Sequence, residues 1–186
     1  MKNVFKVLLD PNEKYSSIQS YDIGSFDLTS FWDGRKCDPN CLEHARLYLN
    51  LPIRVKTDAI GNPLSWLIWS ERLVDISLPL IQNDVHVLSA PLFDSRSRQP
   101  IPGYFIVNIL SVVACVKMEK SKIATDNEGN FMGFHEPHFD QERLSPNIHL
   151  FRAREWIFSE FISEPLRSQW KSKNIGGLLL KAFQSS

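Results

Sequence analysis

Apolar and polar positions along the chain follow two different periods, and each stretch predicts an element. Phe5–Leu9 (FKVLL) reads as a first strand. Residues 10–30 are polar and turn-rich, a lead-in rather than an element. Leu47–Lys56 (LYLNLPIRVK) alternates weakly and reads as a strand, with Pro52 marking an edge or a bulge. Asp58–Pro63 reads as a turn. From Ser70 the period changes. Leu73, Ile76, Leu80 and Ile81 fall at helical spacing, with Ser70 as N-cap and Glu71 at the positive end of the helix dipole. Pro79 should kink or restart that helix, and Asn83-Asp84 should close it. Val85–Leu88 (VHVL) returns to strand, and Ser95–Gly103 is a loop. Tyr104–Val116 (YFIVNILSVVACV) is β-branched or apolar at nearly every position, the pattern of a strand covered on both faces or of a long bent one. Val107, Ile109, Val112 and Val113 are its expected buried core. Residues 117–130 are polar with a turn at Asp126–Asn130, and residues 131–148 read as a long irregular connection. His149–Phe151 and Glu155–Phe158 read as short strands, and Gly176–Phe183 (GGLLLKAF) as the last.

Two stretches echo one another. Trp69-Ser70-Glu71 is matched by Phe158-Ser159-Glu160, and Ile76–Leu80 (ISLPL) by Ile162–Leu166 (ISEPL), each followed by a strand. The pattern predicts a strand–helix–strand unit used twice, against the alternative of chance likeness between short patterns. Strands and helices are segregated by stretch, without regular βαβα alternation. That means an α+β fold with a mixed or mostly antiparallel sheet and a few helices. A length of 186 residues suits one globular unit. Within it, residues 1–30 form the N-terminal strand and polar lead-in, and residues 31–186 the main body.

Charge narrows the partners. Lys plus Arg and Asp plus Glu are 21 each, so the basic excess that drives phosphate binding is missing and nucleic acid is not expected. Arg152–Lys181 is mildly basic, which a solvated face explains. The Tyr104–Val116 run is shorter than the roughly 20 residues a bilayer span requires, and MKNVFKVLLDPNEK lacks the apolar region and cleavage site of a secretory leader. The expectation is a cytoplasmic protein without membrane contact. Three cysteines make no disulfide framework. Cys37 and Cys41, with His44 close behind, raise a zinc reading that lacks a second ligand pair. Cys115 lies in an apolar run and reads as an inert core residue.

Phosphate-cradling, nucleophile-elbow and metalloprotease motifs are all absent. The densest titratable cluster is FHEPHFDQE, with His135, Glu136, His138, Asp140 and Glu142. Imidazoles and carboxylates supply metal ligands and proton shuttles, so a small metal-dependent hydrolase is one reading. Pro137 separates the two histidines, however, so they share no helix face. A polar surface loop anchored by Phe134 and Phe139, or a protein-binding loop, fits as well. FWDGR places Trp32, Asp33 and Arg35 together. Trp and Arg are favoured interface anchors, yet the segment also reads as a turn with its aromatics folded inward. Trp66, Trp69 and Trp156 read as core. No catalytic residue, metal ligand or cofactor is assigned, and a structural subunit of a larger complex remains a third reading.

SERL (Ser70–Leu73), IPGYFIVNILSVVACV (Ile101–Val116), WIFSE (Trp156–Glu160), GGLLLKAF and FWDGR occur in an order that resembles the immunity protein 11 family, found beside polymorphic toxins of bacteria. The resemblance covers roughly residues 30–183. It departs at Ser111, where the family carries a second Asn; that swap should keep the fold but alter a buried hydrogen bond. The resemblance implies a single-domain antitoxin, without catalytic residues, that binds a cognate toxin encoded by the adjacent gene and blocks it in the producing cell. On that reading His135, Glu136, His138, Asp140 and Glu142, with Trp32, Asp33 and Arg35, are the candidate toxin contacts. Glu136, Asp140 and Glu142 would supply charge complementary to a basic cleft.

Overall fold

The computed structural model describes residues 3–10, 17–38, 40–49 and 57–183. In chain order its elements begin with β1 (Val4–Leu9), β2 (Ile18–Asp22), β3 (Arg46–Leu49), β4 (Ala59–Ile60) and β5 (Ile68–Ser70). Helix α1 (Glu71–Ile81) follows, then β6 (Val85–Ser89), β7 (Leu92–Asp94), β8 (Tyr104–Ile109), β9 (Val112–Val113), β10 (Lys122–Thr125) and β11 (Phe131–Glu136). The chain closes with β12 (Leu150–Ala153), β13 (Trp156–Ser163), α2 (Glu164–Ser172) and β14 (Leu178–Phe183). Among the described residues, two α-helices and mostly antiparallel sheets make an α+β fold. The larger sheets run β14-β1-β13-β12-β9 and β4-β5-β8-β6; a three-stranded β2-β3-β7 sheet and a β10-β11 hairpin complete the set.

Local chemistry explains α1. Ser70 is extended, and its hydroxyl accepts the Leu73 amide at 3.2 Å, so the predicted N-cap is present. Leu73, Val74, Ser77 and Ile81 form the buried stripe. The helix does not restart after Pro79 but ends two residues later, at Ile81, and Pro79 has no N–H to donate to the carbonyl four residues back.

The predicted strand–helix–strand repeat exists, in a different phase. β5 and β6 both pair antiparallel with β8, so they run parallel to each other with β8 between them. In the same way β13 and β14 both pair antiparallel with β1. Each unit is therefore a split strand–helix–strand arrangement. The second helix begins at Ser163-Glu164, whereas the Ser159-Glu160 of WIFSE lies within β13. The two helices meet over a shared core holding Phe5, Trp69, Leu73, Ile109, Ile162 and Trp170. Trp69 and Trp170 cross edge to face at 5.4 Å, and Trp170 Nε1 donates to Ser77 Oγ at 2.8 Å.

Five expectations are corrected. The Tyr104–Val116 run is not one strand. Asp84 interrupts it: its carbonyl accepts the Leu110 amide at 2.7 Å and its carboxylate accepts Ser111 Oγ at 2.8 Å and the His149 amide at 2.8 Å. The chain turns there and passes from one large sheet to the other, so Val107 and Ile109 are buried while Val112 and Val113 are half-buried on a sheet edge. Residues 131–148 are not all irregular, because β11 pairs with β10 around the Asp126–Asn130 turn. The polar lead-in contains β2, and the Asp58–Pro63 turn contains β4. Cys37 and Cys41 are joined in a disulfide, so neither offers a zinc ligand. Of the predicted Leu47–Lys56 strand, β3 covers the described part; residues 50–56, with Pro52, lie outside the described residues.

Candidate functional site

The sequence candidates fall in two places. The first is FWDGR. A short 3-10 turn, Leu28–Phe31, is capped by the Asp27 carboxylate, which accepts the Thr29 amide at 2.9 Å. It drives Phe31 into a core beside Phe26 and Trp66. Gly34 has φ +76°, and a Cβ there would come within 2.6 Å of the Leu110 carbonyl oxygen, so only glycine allows the approach. Asn108 Nδ2 donates to the Arg35 carbonyl at 2.7 Å, fixing the segment across the bend of the interrupted strand. Trp32 lies edge-on to Phe158 at 4.9 Å. The turn reading thus holds for the aromatics, while Asp33 and Arg35 pair with each other in solvent. The hydrogen bond from Arg35 holds the Asp33 carboxyl below its ordinary range.

Beneath this segment lies a charge pair that sequence reasoning missed. Arg152 and Glu160 face each other across β12 and β13 at 3.0 Å, and their side chains are 3% and 12% exposed. Arg152 Nη1 also donates to the Phe31 carbonyl at 2.6 Å. Burial pushes the Glu160 carboxyl up and the Arg152 guanidinium down, each against the pull of the other's charge. Alternating strand positions gave no sign of this pair, because the predicted strands His149–Phe151 and Glu155–Phe158 stop short of Arg152 and Glu160, which β12 and β13 include.

The second place is the hairpin. Gly133, at φ +135°, lies against Trp156, where a Cβ would be 2.7 Å from the indole. Phe134 packs on the same ring at 5.5 Å. The arm is therefore seated on β13 through one glycine and one aromatic. His135 and Glu136 are exposed on β11, with Glu136 bonded to Lys122 at 2.7 Å. His138 is half-buried; its amide donates to Ser121 Oγ at 2.9 Å. Asp140 is buried: it pairs with Lys117 at 3.3 Å and Arg143 at 3.5 Å, and its amide donates to the Cys115 carbonyl at 2.8 Å. Burial raises the Asp140 carboxyl, but the hydrogen bonds from Lys117 and the Glu142 amide and the two cations hold it below its ordinary range. Its position marks it as a brace for the chain, while Glu142 is exposed. The cluster therefore separates into surface residues His135, Glu136 and Glu142 and the braced His138 and Asp140. Among the described residues, no group of three His, Cys, Asp or Glu is arranged to hold a metal ion. Burial, then the charges of Glu155 and Asp140, push the Cys115 thiol up to about 12, so it is protonated at neutral pH and a poor nucleophile.

What the surface offers is apolar area. Met118, Ile123, Phe131 and Met132 are exposed on or beside the arm, Met132 by 66%. Leu8, Leu9, Phe158 and Leu179 are exposed on the larger sheet, Phe158 by 59%. Large exposed apolar residues gathered in patches mark interaction surfaces. The hairpin patch was missed in the sequence, where residues 131–148 read as an irregular connection, although KIAT and FMGFHE around an N-E-G turn carry a hairpin signal. No helix among the described residues is long and apolar enough to cross a membrane.

A protein-family model described as Immunity protein family (Imm11) matches residues 36–185, about four fifths of the chain. No curated protein matches the chain.

Proposed function

The chain belongs to the Imm11 immunity protein family, and from that membership we propose that it is an antitoxin. It binds a cognate polymorphic toxin, encoded by the adjacent gene, in the cytoplasm of the producing cell and blocks it stoichiometrically, without chemistry of its own. The observation that carries the reading is the family match over residues 36–185. Three features of the molecule support it. The only described free cysteine is buried with a protonated thiol. The buried Arg152–Glu160 pair braces the scaffold. The polar face of the arm is set among exposed Phe131 and Met132. Apolar anchors ringed by polar groups are the usual composition of a specific interface.

Within this proposal His135, Glu136 and Glu142 are toxin contacts on or beside the arm, and Asp33 and Arg35 are a secondary candidate with Trp32 behind them. His138 and Asp140 hold the arm's base in register. Co-expression of the chain with the adjacent-gene toxin should restore growth, and the two should co-purify. Met132→Glu, at a position 66% exposed, should weaken the complex tenfold or more, about 1.4 kcal/mol, without changing the melting temperature. If the adjacent product is not toxic, or its toxicity is unaffected by this chain, the antitoxin reading fails.

A further inference from the structure

We propose that the open edge of β14 is a strand-addition site for an extended, acidic segment of the toxin; this rests on the antitoxin reading and deepens it. β14 is LLLKAF, a regular six-residue strand whose described sheet partner is β1 alone. No described residue bonds to its backbone on the side away from β1. At the other end of the same sheet the edge strand, β9, has two residues. Natural edges are usually protected by shortness, proline, a bulge or charge. β14 has no proline and no register break, and Lys181 is its one charge.

The surroundings indicate what would pair there. Beside the strand runs a groove of about 340 Å³ lined by Arg167, Trp170, Lys171, Asn174, Leu178 and Leu180. Lys181 stands directly across from Lys6, like charges in register on one face, an arrangement that destabilises a sheet. Neither of these ammonium groups, nor that of Lys171, has a carboxylate within 4 Å among the described residues. Burial, and then the charge of Lys181, hold the Lys6 ammonium below its ordinary range, although Glu160 pulls the other way. One register step along the same face, Leu8 and Leu179 face each other at 37% and 45% exposure. Cations without carboxylate partners, Lys6 over the Trp156 ring and Lys181 5.1 Å over the Phe183 ring, beside exposed leucines along this edge suit a strand in which Asp or Glu alternates with apolar residues. A second copy of this chain fits poorly, because pairing β14 with itself brings both sets of lysines together. The edge is also continuous with the hairpin patch. Lys6 Nζ lies 3.8 Å over the Trp156 ring, the ring on which Gly133 is seated.

The test uses the full chain and the toxin it neutralises. Backbone hydrogen exchange is compared for free and bound protein, and affinity is measured for Lys171→Glu/Lys181→Glu. The expected result is slowed exchange within residues 178–183 in the complex, and binding weakened tenfold or more by the double variant, more so at low salt. The melting temperature should not fall, since both side chains are exposed and Lys181→Glu sets an acid across from Lys6 in place of a like charge. If wild-type complex forms with unaltered exchange in β14, and the variant binds within threefold, strand addition is wrong while the antitoxin reading stands. If no toxin binds the wild-type chain, both fall together. A free chain already dimeric, with β14 amides slow to exchange, would assign the edge to a second copy and overturn the proposal.

Discussion

Replacing Arg152 with alanine should destabilise the protein far more than removing both members of its ion pair. The Arg152 side chain is 3% exposed, its Nη2 donates to Glu160 Oε1 at 3.0 Å, and its Nη1 to the Phe31 carbonyl at 2.6 Å. Truncation strands a buried carboxylate and a buried carbonyl. Removing one partner of a buried pair costs about 3–5 kcal/mol, and the orphaned carbonyl adds about 1 kcal/mol or more. Against the roughly 5–15 kcal/mol that holds a domain together, that is a large share. With a urea slope near 2 kcal/mol/M, the midpoint should fall by about 2 M. Arg152→Met/Glu160→Leu removes both charges and strands only the carbonyl, so it should recover most of the loss. pH supplies a second check. Burial already raises the Glu160 carboxyl in the folded state. A raised acid contributes stability that is present below the ordinary carboxylate range, about pH 4, and lost as pH rises through the folded value. Removing the Arg152 charge raises that value further, so the deficit of Arg152→Ala should grow from acid to neutral pH. An Arg152→Ala loss under 1 kcal/mol, or a double variant no more stable than Arg152→Ala, would refute the reasoning.

Three further outcomes are expected. Gly133→Ala combines an unfavourable φ of +135° with a Cβ 2.7 Å from the Trp156 indole, so it should cost about 1–3 kcal/mol and speed exchange in β10 and β11; unchanged exchange would mean the arm is not seated on Trp156. Ile109→Asp, at 0% exposure, should abolish folding, whereas Val112→Asp on the half-buried β9 edge should leave a folded, weakened protein by circular dichroism; equal damage would contradict the bend at Asp84. Without reductant, Cys115 should resist thiol reagents at neutral pH, because burial pushes it up to about 12, and one thiol should appear in denaturant; three would show that Cys37 and Cys41 are not joined.

The parts of the fold that could be read from sequence were those set by local rules. Ser70 as an N-cap, the helix with Leu73 and Ile81 buried, VHVL and GGLLLKAF each depend on a few neighbouring residues, though the buried stripe turns through Val74 and Ser77 and leaves Ile76 and Leu80 half-buried. Errors arose where a distant residue decided. Tyr104–Val116 looks continuous because its period is continuous, and it bends only because Asp84, on the other side of α1, takes the Leu110 and Ser111 amides. Ser111, the departure from the family pattern, supplies the hydroxyl bonded to the Asp84 carboxylate. WIFSE resembled a helix start because Ser-Glu fits an N-cap, yet Phe161 and Ile162 on adjacent strand faces keep the chain extended for three residues more. At the candidate site, sequence located the cluster of charged groups. It could not say that Asp140 is buried between Lys117 and Arg143 while His135 and Glu136 face solvent.

The two split units explain why the N-terminal strand and the β14 edge matter together. Ser70 and Ser163 each precede a helix, and the positions that meet between the helices keep the same offset. Gln169 Nε2 donates to the Ile76 carbonyl and Trp170 Nε1 to Ser77 Oγ, each pair 93 residues apart. Equivalent positions touch one another, as they do across a two-fold axis. In this relation β5 corresponds to β13, β6 to β14, and the strand between them is β8 in one unit and β1 in the other. β1 precedes the family match at residues 36–185, yet without it β13 and β14 have no strand between them to pair with. The equivalence also supplies an internal control for the edge. β6 and β14 end their sheets in the same way, but β6 has buried Val85 and Leu88 and one exposed residue, Ser89. β14 exposes Leu179, Lys181 and Ala182. Neither edge has a described backbone partner beyond its one sheet neighbour, β8 or β1, so the two units leave the same edge unpaired and differ in the side chains along it. The architecture does not require exposed lysine and leucine at this position, since β6 exposes a serine alone, and a partner explains them better.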